Sequence, residues 1–339
     1  MIKEISEQKD TISRAINQDP EEIEKISQIL RRGRGIFLIG CGTAGKVCSI
    51  GEYFLSHIAR THTNPVVASE FSYYEKFLEP KNLVIAVSQS GETADVIEAL
   101  EIAKKKKVNI LSLTNVESST VARLSNFCFK INAGPEKAVA STKAATAQMA
   151  ILLLVSFAVA KKLKEGKRVL IEAASKINDM LNPRYEEYIE KQAKKIFKQE
   201  NMYIIGKGPN FPLALESAIK IQEVSYIHAE GFAAGELKHG PIALVSNKVP
   251  CIVLGDSDEK IQREVLSSAE ELKTRGGHII GISPNNAPVY DIWIRVPDCG
   301  LAQHIVNLIP VQILAYYLAL LRGLNPDMPR NLAKSVTVK

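Results

Sequence analysis

The sequence IFLIGCG at residues 36–42 returns as MYIIGKG at residues 202–208. Each copy is an apolar run that ends in glycine, which is typical of a buried strand leading into a tight turn. Other apolar runs recur in the same order, as VIAV at 84–87 with CIVL at 251–254 and as NILS at 109–112 with HIIG at 278–281. The repetition predicts that the chain contains one structural unit twice.

Strand and helix patterns alternate along the chain. In the first copy, residues 82–87, 109–113 and 127–131 have the composition of strands, and residues 93–105 have the apolar spacing of a helix. Such alternation is typical of a parallel sheet with helices on both faces. The sequence therefore predicts an α/β protein made of two tandem domains, each a parallel sheet flanked by helices.

The domain boundaries follow from where these patterns begin and end. We expect a charged amphipathic helical segment at 1–33, a first domain at 34–165, a polar helical connector at 166–195, a second domain at 196–322, and a tail at 323–339. The apolar runs at 149–160 and 305–321 are too short or too interrupted to cross a bilayer. We therefore predict that both are buried helices and that the protein has no membrane partner.

Composition narrows the possible functions. Among 339 residues, 43 are Lys or Arg and 37 are Asp or Glu, which gives a net charge of +6. Because no aromatic-interleaved basic patch accompanies this charge, we predict no nucleic-acid partner; a mild positive field suits anionic metabolites. The five cysteines form no C-x-x-C pair, which argues against a disulfide framework or a zinc site and favours a reducing, cytoplasmic location.

The sequence SQSGET at residues 88–93 is a candidate anion site between a strand and a helix. Hydroxyl groups and free backbone N–H groups at a helix N-terminus can surround a phosphate, and the helix dipole adds to the attraction. The same hydroxyls could instead only cap the helix. The second copy has GDSDEK at 255–260, whose carboxylates would repel a phosphate. This asymmetry favours one phosphate site per chain, in the first domain.

A second candidate is the sequence GCGTAG at residues 40–45, a G-x-G-x-x-G pattern with Glu70 at a plausible distance for a ribose contact. The duplicate, GKGPNF at 206–211, keeps only the first two glycines, as a tight strand-to-helix turn would. Nicotinamide binding is therefore the weaker interpretation, and we predict no cofactor.

Four motifs resemble those of a known family: SQSGETAD at 88–95, VASTKA at 139–144, SYIHAEGFAAGELKHGP at 225–241 and PRNLAKSVTV at 329–338. They are similar to the isomerase half of glucosamine-6-phosphate synthases (glutamine–fructose-6-phosphate aminotransferases), and the match runs in order along nearly the whole chain. The resemblance implies two sugar isomerase (SIS) domains, each an αβα sandwich. It also implies an aldose–ketose isomerase that turns fructose 6-phosphate and ammonia into glucosamine 6-phosphate.

The resemblance assigns a role to each residue that matches a family motif. It implies phosphate binding by Ser88, Gln89, Ser90 and Thr93 and sugar contacts from Thr43, Val139 and Ser141. It also implies catalytic roles, for Glu223 as base, His239 as ring-opening group, Lys220 as support and Lys334 as the tail lysine approaching the sugar carbonyl. In that family the histidine comes from the neighbouring subunit, so a homodimer is implied. One departure is Ala44, where the family usually has serine, which leaves fine substrate choice open.

The residues themselves are suited to this chemistry. One carboxylate can move a proton between C1 and C2 of a sugar, and Glu223 lies in a helical pattern with Lys220 at the spacing of a charge pair. Without the family match, a surface ion pair would be the plainer interpretation. His239 lies in a glycine-punctuated loop, whereas His228 and His304 lie in apolar helical patterns that predict packing roles.

Lys334 would ordinarily be a solvated tail residue, but its neighbours are less polar than those of a free tail, and a lysine in a closed pocket can form an imine with a carbonyl. No metal-ligand cluster is evident in the sequence, and we predict none.

The sequence leaves three functions open. It begins MIK and reaches the first domain almost at once, so we expect no glutamine hydrolysis and a separate source of ammonia. The chain could be the isomerase half of a synthase, a stand-alone glucosamine-6-phosphate deaminase, or a non-catalytic regulator that binds sugar phosphates. The motifs around Glu223, His239 and Lys334 favour the enzymes, because a sensor needs only the phosphate site.

Overall fold

The structure is a computed structural model that describes residues 1–246 and 248–338. Its α-helices are α1 (Ile2–Ser6), α2 (Gln8–Ile16), α3 (Pro20–Arg32), α4 (Gly42–Ala59), α5 (Ala94–Lys105), α6 (Thr120–Leu124), α7 (Lys143–Val159), α8 (Leu163–Met180), α9 (Pro183–Ile196), α10 (Asn210–Ser225), α11 (Glu259–Thr274) and α12 (Gln303–Leu321). Its strands are β1 (Ile36–Gly40), β2 (Thr63–Val67), β3 (Leu83–Ser88), β4 (Asn109–Thr114), β5 (Phe127–Lys130), β6 (Asn201–Gly206), β7 (His228–Ala233), β8 (Pro250–Leu254), β9 (His278–Ser283) and β10 (Ile292–Arg295).

The chain divides into two compact units. The first unit comprises Asp10–Glu136, Lys143–Ile171 and the end of the chain from Ala333. The second unit comprises Met1–Lys9, Lys137–Thr142 and Glu172–Leu332. The segment at 323–339 that the sequence sets apart as a tail is therefore shared between the two units.

The first unit is built on a parallel sheet with the strand order β2-β1-β3-β4-β5. Its strands are apolar on both faces because helices cover both sides. On one side Phe37, Ile39 and Val84 form a buried cluster with Val96 and Leu100 of α5. On the other side α4 packs on α7, a helix that is buried along its whole length.

The second unit repeats this plan. Its strands are also parallel, in the order β7-β6-β8-β9-β10, and Tyr203, Ile205 and Val253 pack on Val265 and Leu272 of α11. Each strand occupies the place of its counterpart in the first sheet, so β1 matches β6, β3 matches β8 and β4 matches β9. The duplicated α/β architecture predicted from the sequence is confirmed.

The turns after β1 and β6 need glycine for close packing. A Cβ on Gly40 would stand 2.9 Å from the carbonyl carbon of Ala44, and one on Gly206 would stand 2.0 Å from the carbonyl oxygen of Asn210. Backbone atoms cannot yield at such distances, so the shared glycines fit the tight-turn interpretation without a dinucleotide.

Two helical regions differ in detail from the pattern expected. Residues 1–33 contain three helices rather than one continuous helix; Asp19 accepts the N–H of Glu21 and Pro20 opens α3, which is a strong helix start. The segment Gly300–Leu321 is long and apolar enough to cross a membrane by length and composition, but most of it is buried inside the protein. The expectation that 305–321 is a buried helix is confirmed, although this helix is not too short to span.

Candidate active site

The loop at residues 88–93 connects β3 to α5 and is held by its own hydroxyl groups. Ser88, which is buried, accepts the N–H of Gly91 at 3.0 Å, and Ser90 accepts the N–H of Glu92 at 3.2 Å. Gly91 has a φ of 68°, and a Cβ there would stand 2.1 Å from Oγ of Ser119. Only glycine fits this position, and the loop is therefore shaped before any ligand arrives.

The start of α5 differs from the start of α11 in the way the sequence suggests. Thr93 is the N-cap residue of α5, yet among the described residues its side chain accepts no capping hydrogen bond. In the duplicate, Asp258 accepts the N–H groups of Lys260 at 2.9 Å and Ile261 at 3.0 Å. The second unit thus supplies a carboxylate of its own to its helix N-terminus, whereas Thr93 does not act as a simple cap. The arrangement favours anion binding in the first unit alone.

The one acidic side chain in the loop is directed to a neighbouring helix. Glu92 accepts the N–H of Thr120, at the start of α6, through Oε1 at 2.8 Å. This hydrogen bond, together with one from the Thr120 hydroxyl, lowers the pKa of Glu92. The Glu92 carboxylate is therefore compatible with an anion site in this loop, because its charge is directed to the N-terminus of α6.

The end of the chain lies on this loop within the first unit. Ala94, the first residue of α5, donates its N–H to the carbonyl of Val336 at 3.1 Å, and Ser90 and Ser335 share a hydrogen bond of 3.1 Å between their hydroxyls. Immediately before them, Lys334 Nζ lies 2.5 Å from Oε2 of Glu136. The lysine side chain is 25% exposed, so it is not the freely solvated tail lysine of the plainer interpretation.

Two residues that take part in the contacts of the chain end were not predicted from the sequence. Glu136 and Ser335 both contact predicted site residues, and neither was a candidate. Ser335 stands next to Lys334 and could have been flagged by adjacency. Glu136 is 198 residues from Lys334, and its only local signal is that it stands just before the VASTKA motif.

The second unit contains an ion cluster along one face of α10. Lys220 is completely buried, with Nζ 2.6 Å from Oε2 of Glu223 and 3.5 Å from Oε1 of Glu216. The predicted pairing of Lys220 with Glu223 is confirmed, and the surface ion pair of the plainer interpretation is wrong. Glu216, one turn before Lys220, was missed by sequence reasoning although the same spacing rule applies to it. Glu223 stays 25% exposed and so remains accessible to a small molecule.

The histidines occupy three different environments within the second unit. His239 is exposed at the end of the short 3₁₀ helix Leu237–His239. His304 is buried in α12, with Nε2 3.3 Å from Oδ2 of Asp256, which agrees with the packing role predicted for it. The helical environment predicted for His228 is wrong: α10 ends at Ser225, Tyr226 has a φ of 58°, and His228 opens strand β7 with an exposed side chain.

The remaining predicted residues are divided between the units. Thr43 lies at the start of α4 in the first unit, together with the loop residue Gln89, whose carbonyl accepts the N–H of Asn115 at 3.2 Å. Val139 and Ser141 lie in the segment Lys137–Thr142 of the second unit, where Val139 donates its N–H to Asp327 at 3.1 Å.

The structure thus groups the loop at residues 88–93 with Lys334 in one unit, and Lys220 with Glu223 in the other. Within residues 1–246 and 248–338, no group of three or more His, Cys, Asp or Glu side chains is placed to hold a metal ion.

A comparison with protein-family models identifies the family of the chain. The family model described as "SIS domain" matches residues 29–158 and again residues 195–322. These two matches cover both sheets, and the chain therefore belongs to the SIS domain family.

Similarity to individual proteins is more specific. The chain is 39% identical to glutamine–fructose-6-phosphate aminotransferase [isomerizing] of Pyrococcus horikoshii and 37% identical to that of Aquifex aeolicus, in each case over its full length. It spans 58% of the length of these curated relatives. Among solved structures it resembles the C-terminal domain of glucosamine-fructose-6-phosphate aminotransferase from Francisella tularensis, with a TM-score of 0.86 and 30% identity over 97% of this chain and 98% of that one.

The fold also resembles that of glucosamine-6-phosphate deaminase from Thermotoga maritima, with a TM-score of 0.80 and 24% identity over 99% of this chain and 98% of that one. The similarity to the isomerase half of the aminotransferases extends over the whole chain, as the motifs predict.

Proposed function

We propose that this protein converts fructose 6-phosphate and ammonia into glucosamine 6-phosphate. The observation that carries the proposal is the contact of the chain end with the phosphate loop, because it brings the amine of Lys334 to the loop that would hold the sugar by its phosphate. The activity for which the aminotransferase relatives are named supports the proposal.

The first unit would bind and activate the ketose. Ser88, Gln89, Ser90 and Thr93 bind the phosphate at the N-terminus of α5, where the helix dipole favours an anion. Lys334 then attacks C2 of the open-chain ketose and forms an imine, with loss of water. Ammonia displaces the lysine from this imine, which leaves nitrogen on C2 and restores the free amine. Thr43 of this unit, and Val139 and Ser141 of the second unit, contact the sugar.

Residues of the second unit would carry the isomerisation. Glu223 removes a proton from C1 and returns it to C2, while the proton of the C1 hydroxyl passes to the nitrogen. The C2 imine thereby becomes an amine, and C1 becomes an aldehyde. The buried ammonium of Lys220, 2.6 Å away, keeps the Glu223 carboxylate in place. His239 opens the sugar ring by moving a proton between the ring oxygen and the anomeric hydroxyl.

We further propose that the protein acts in the cytoplasm as a homodimer in which each His239 serves the neighbouring subunit. Support comes from the exposure of His239 on its own chain, because a ring-opening group needs contact with the sugar. The chain matches only the isomerase part of its relatives, so ammonia is proposed as the nitrogen donor, supplied by a separate source.

Two incubations test the proposal. The protein is mixed with fructose 6-phosphate and ammonium, and separately with glucosamine 6-phosphate, and both hexose phosphates are quantified by mass spectrometry. Formation of glucosamine 6-phosphate in the first mixture is the expected result. Turnover in the second mixture alone would identify a deaminase, and binding without turnover in either would identify a regulator.

Variants test the assigned roles in the same assay. Glu223→Gln should abolish turnover, while Glu187→Gln, which changes an exposed carboxylate on α9 of the same unit, should not. Thr93→Ala and Ser90→Ala should raise KM for the sugar phosphate. Turnover that survives in Glu223→Gln would refute the base assignment.

A further inference from the structure

A buried carboxylate contacts the amine that is proposed to react with the sugar. The Glu136 side chain is 0% exposed, and its Oε2 lies 2.5 Å from Nζ of Lys334. We infer that Glu136 positions the amine of Lys334 and accepts its proton when the amine attacks the carbonyl. The inference rests on the proposed function, since it assigns a role within the imine-forming step.

Glu136 is held at the start of α7 through one of its two oxygens. Its Oε1 accepts the N–H of Ala144 at 3.1 Å, in the first turn of α7. A helix N-terminus stabilises a carboxylate there, and burial prevents the side chain from changing rotamer freely. The second oxygen is therefore held toward Lys334, and the amine of a chain-end residue acquires a defined position.

A lysine must lose a proton before it can attack a carbonyl, because an ammonium ion has no lone pair. In water this loss is rare at neutral pH, since the ordinary pKa of lysine is about 10.4. Transfer from Nζ to Oε2 within the pair turns an ammonium and a carboxylate into an amine and a carboxylic acid. No net charge changes inside the buried site, so the transfer avoids the cost of isolating a buried charge.

The same carboxyl group balances the remaining proton transfers. The amine forms a bond to C2 of the ketose, and the carbonyl oxygen takes the proton from Glu136 to become a hydroxyl. The carboxylate then removes one proton from the new C–N nitrogen and gives it to the departing hydroxyl. The products are a protonated imine and one water molecule, and Glu136 is again a carboxylate, ready for the next turnover.

Reductive trapping of the imine tests the inference. The protein is incubated with fructose 6-phosphate and cyanoborohydride from about pH 6 to about pH 8, and the adduct on Lys334 is quantified by mass spectrometry. With Glu136 present, the trapping rate should be nearly independent of pH. In Glu136→Gln the proton must leave to solvent, so the rate should rise roughly tenfold per pH unit and be roughly 10²- to 10³-fold lower at pH 7.

Control variants separate proton transfer from a structural effect. Glu117→Gln removes an exposed carboxylate that pairs with Lys130 at 2.7 Å in the same unit, and it should leave both rate and slope unchanged. Glu136→Asp keeps the charge with a shorter reach, so it should trap more slowly but with the same flat pH profile. Inorganic phosphate binding and thermal unfolding check that each variant is folded.

The outcomes distinguish this inference from the proposed function. Failure of the unmodified protein to form an adduct on Lys334 would refute the imine step itself, and the Glu136 role with it. Normal trapping by Glu136→Gln at every pH would refute only the role of Glu136. If Glu136→Gln does not fold, a slope of one in Glu136→Asp would also refute that role.

Discussion

Replacing Gly91 with alanine should destabilise the first unit and remove phosphate binding. A residue other than glycine at a φ of 68° costs about 1–2 kcal/mol. The new Cβ would also stand 2.1 Å from Oγ and 2.4 Å from Cβ of Ser119, a buried residue. Ser119 must move, and it would give up its cap on α6, where it accepts the N–H of Ala122 at 3.3 Å; a lost cap costs about 1 kcal/mol. We expect a total loss of about 2–3 kcal/mol.

Gly208 in the second unit provides a matched control. Its φ is 58°, and the nearest atom to an added Cβ is Cδ1 of Ile261 at 3.9 Å, so Gly208→Ala has the conformational cost without a clash. Its expected loss is about 1–2 kcal/mol. Urea unfolding measures the free energy of unfolding of both variants, and calorimetry with inorganic phosphate measures binding.

Phosphate affinity should fall in Gly91→Ala and stay unchanged in Gly208→Ala. Adding Ser119→Gly to Gly91→Ala removes the clashing atoms and should restore part of the affinity. Equal destabilisation by the two alanines, with phosphate binding retained in both, would refute the claim that the loop tolerates only glycine.

Three other variants test the remaining contacts. Lys220→Met removes a buried cation that pairs with the buried carboxylate of Glu216 and the partly exposed carboxylate of Glu223. We expect a loss of about 3–5 kcal/mol in urea unfolding, and a loss below about 1 kcal/mol would contradict the buried cluster. Burial raises the pKa of Asp291, but hydrogen bonds from Lys273 and from Ile279 N–H outweigh it, so the pKa lies below its ordinary 3.8. The stability this carboxylate contributes is present above pH 3.8 and is lost as pH falls through the lower folded value. Asp291→Asn should therefore lower the free energy of unfolding by about 1 kcal/mol at pH 7. Below pH 3.8 the stability of this variant should fall less steeply than that of the unmodified protein, and an equal fall would contradict the assignment. Ser335→Ala removes the hydroxyl contact with Ser90, so hydrogen exchange at the Ala94 amide, which bonds Val336, should accelerate, and unchanged exchange would show that the hydroxyl does not hold the tail.

The sequence predicts correctly those features of the fold that depend on residues close together in the chain. Runs such as VIAV and NILS are apolar on both faces, and only a parallel sheet covered on both sides accommodates them. Their recurrence in the second half predicts a second sheet of the same kind. The spacing of Lys220 and Glu223 likewise predicts contact on one helix face. The complete burial of Lys220 could not be predicted, because it depends on elements that are distant in sequence.

The parts missed from the sequence have non-local or backbone causes. The contact between Glu136 and Lys334 joins residues 198 positions apart, and no periodicity reports on it. The sequence predicts helix at His228 because the neighbouring residues are apolar at helical spacing. The left-handed conformation of Tyr226, with a φ of 58°, ends α10 before that spacing can continue. A side chain at a helix C-terminus gives little sequence warning of this conformation.

The carboxylate of Asp258 gives the second unit a permanently bound anion of its own. That unit therefore reaches its final local stability as soon as it folds. In the first unit, Thr93 at the equivalent helix start accepts no capping hydrogen bond among the described residues, so a bound anion can still add stability there. Substrate should consequently raise the local stability of this helix start in the first unit and leave that of the second unit unchanged. Amide exchange would slow in residues 88–96 on adding sugar phosphate and remain constant in residues 255–262, which makes the two halves distinguishable by their response to the ligand alone.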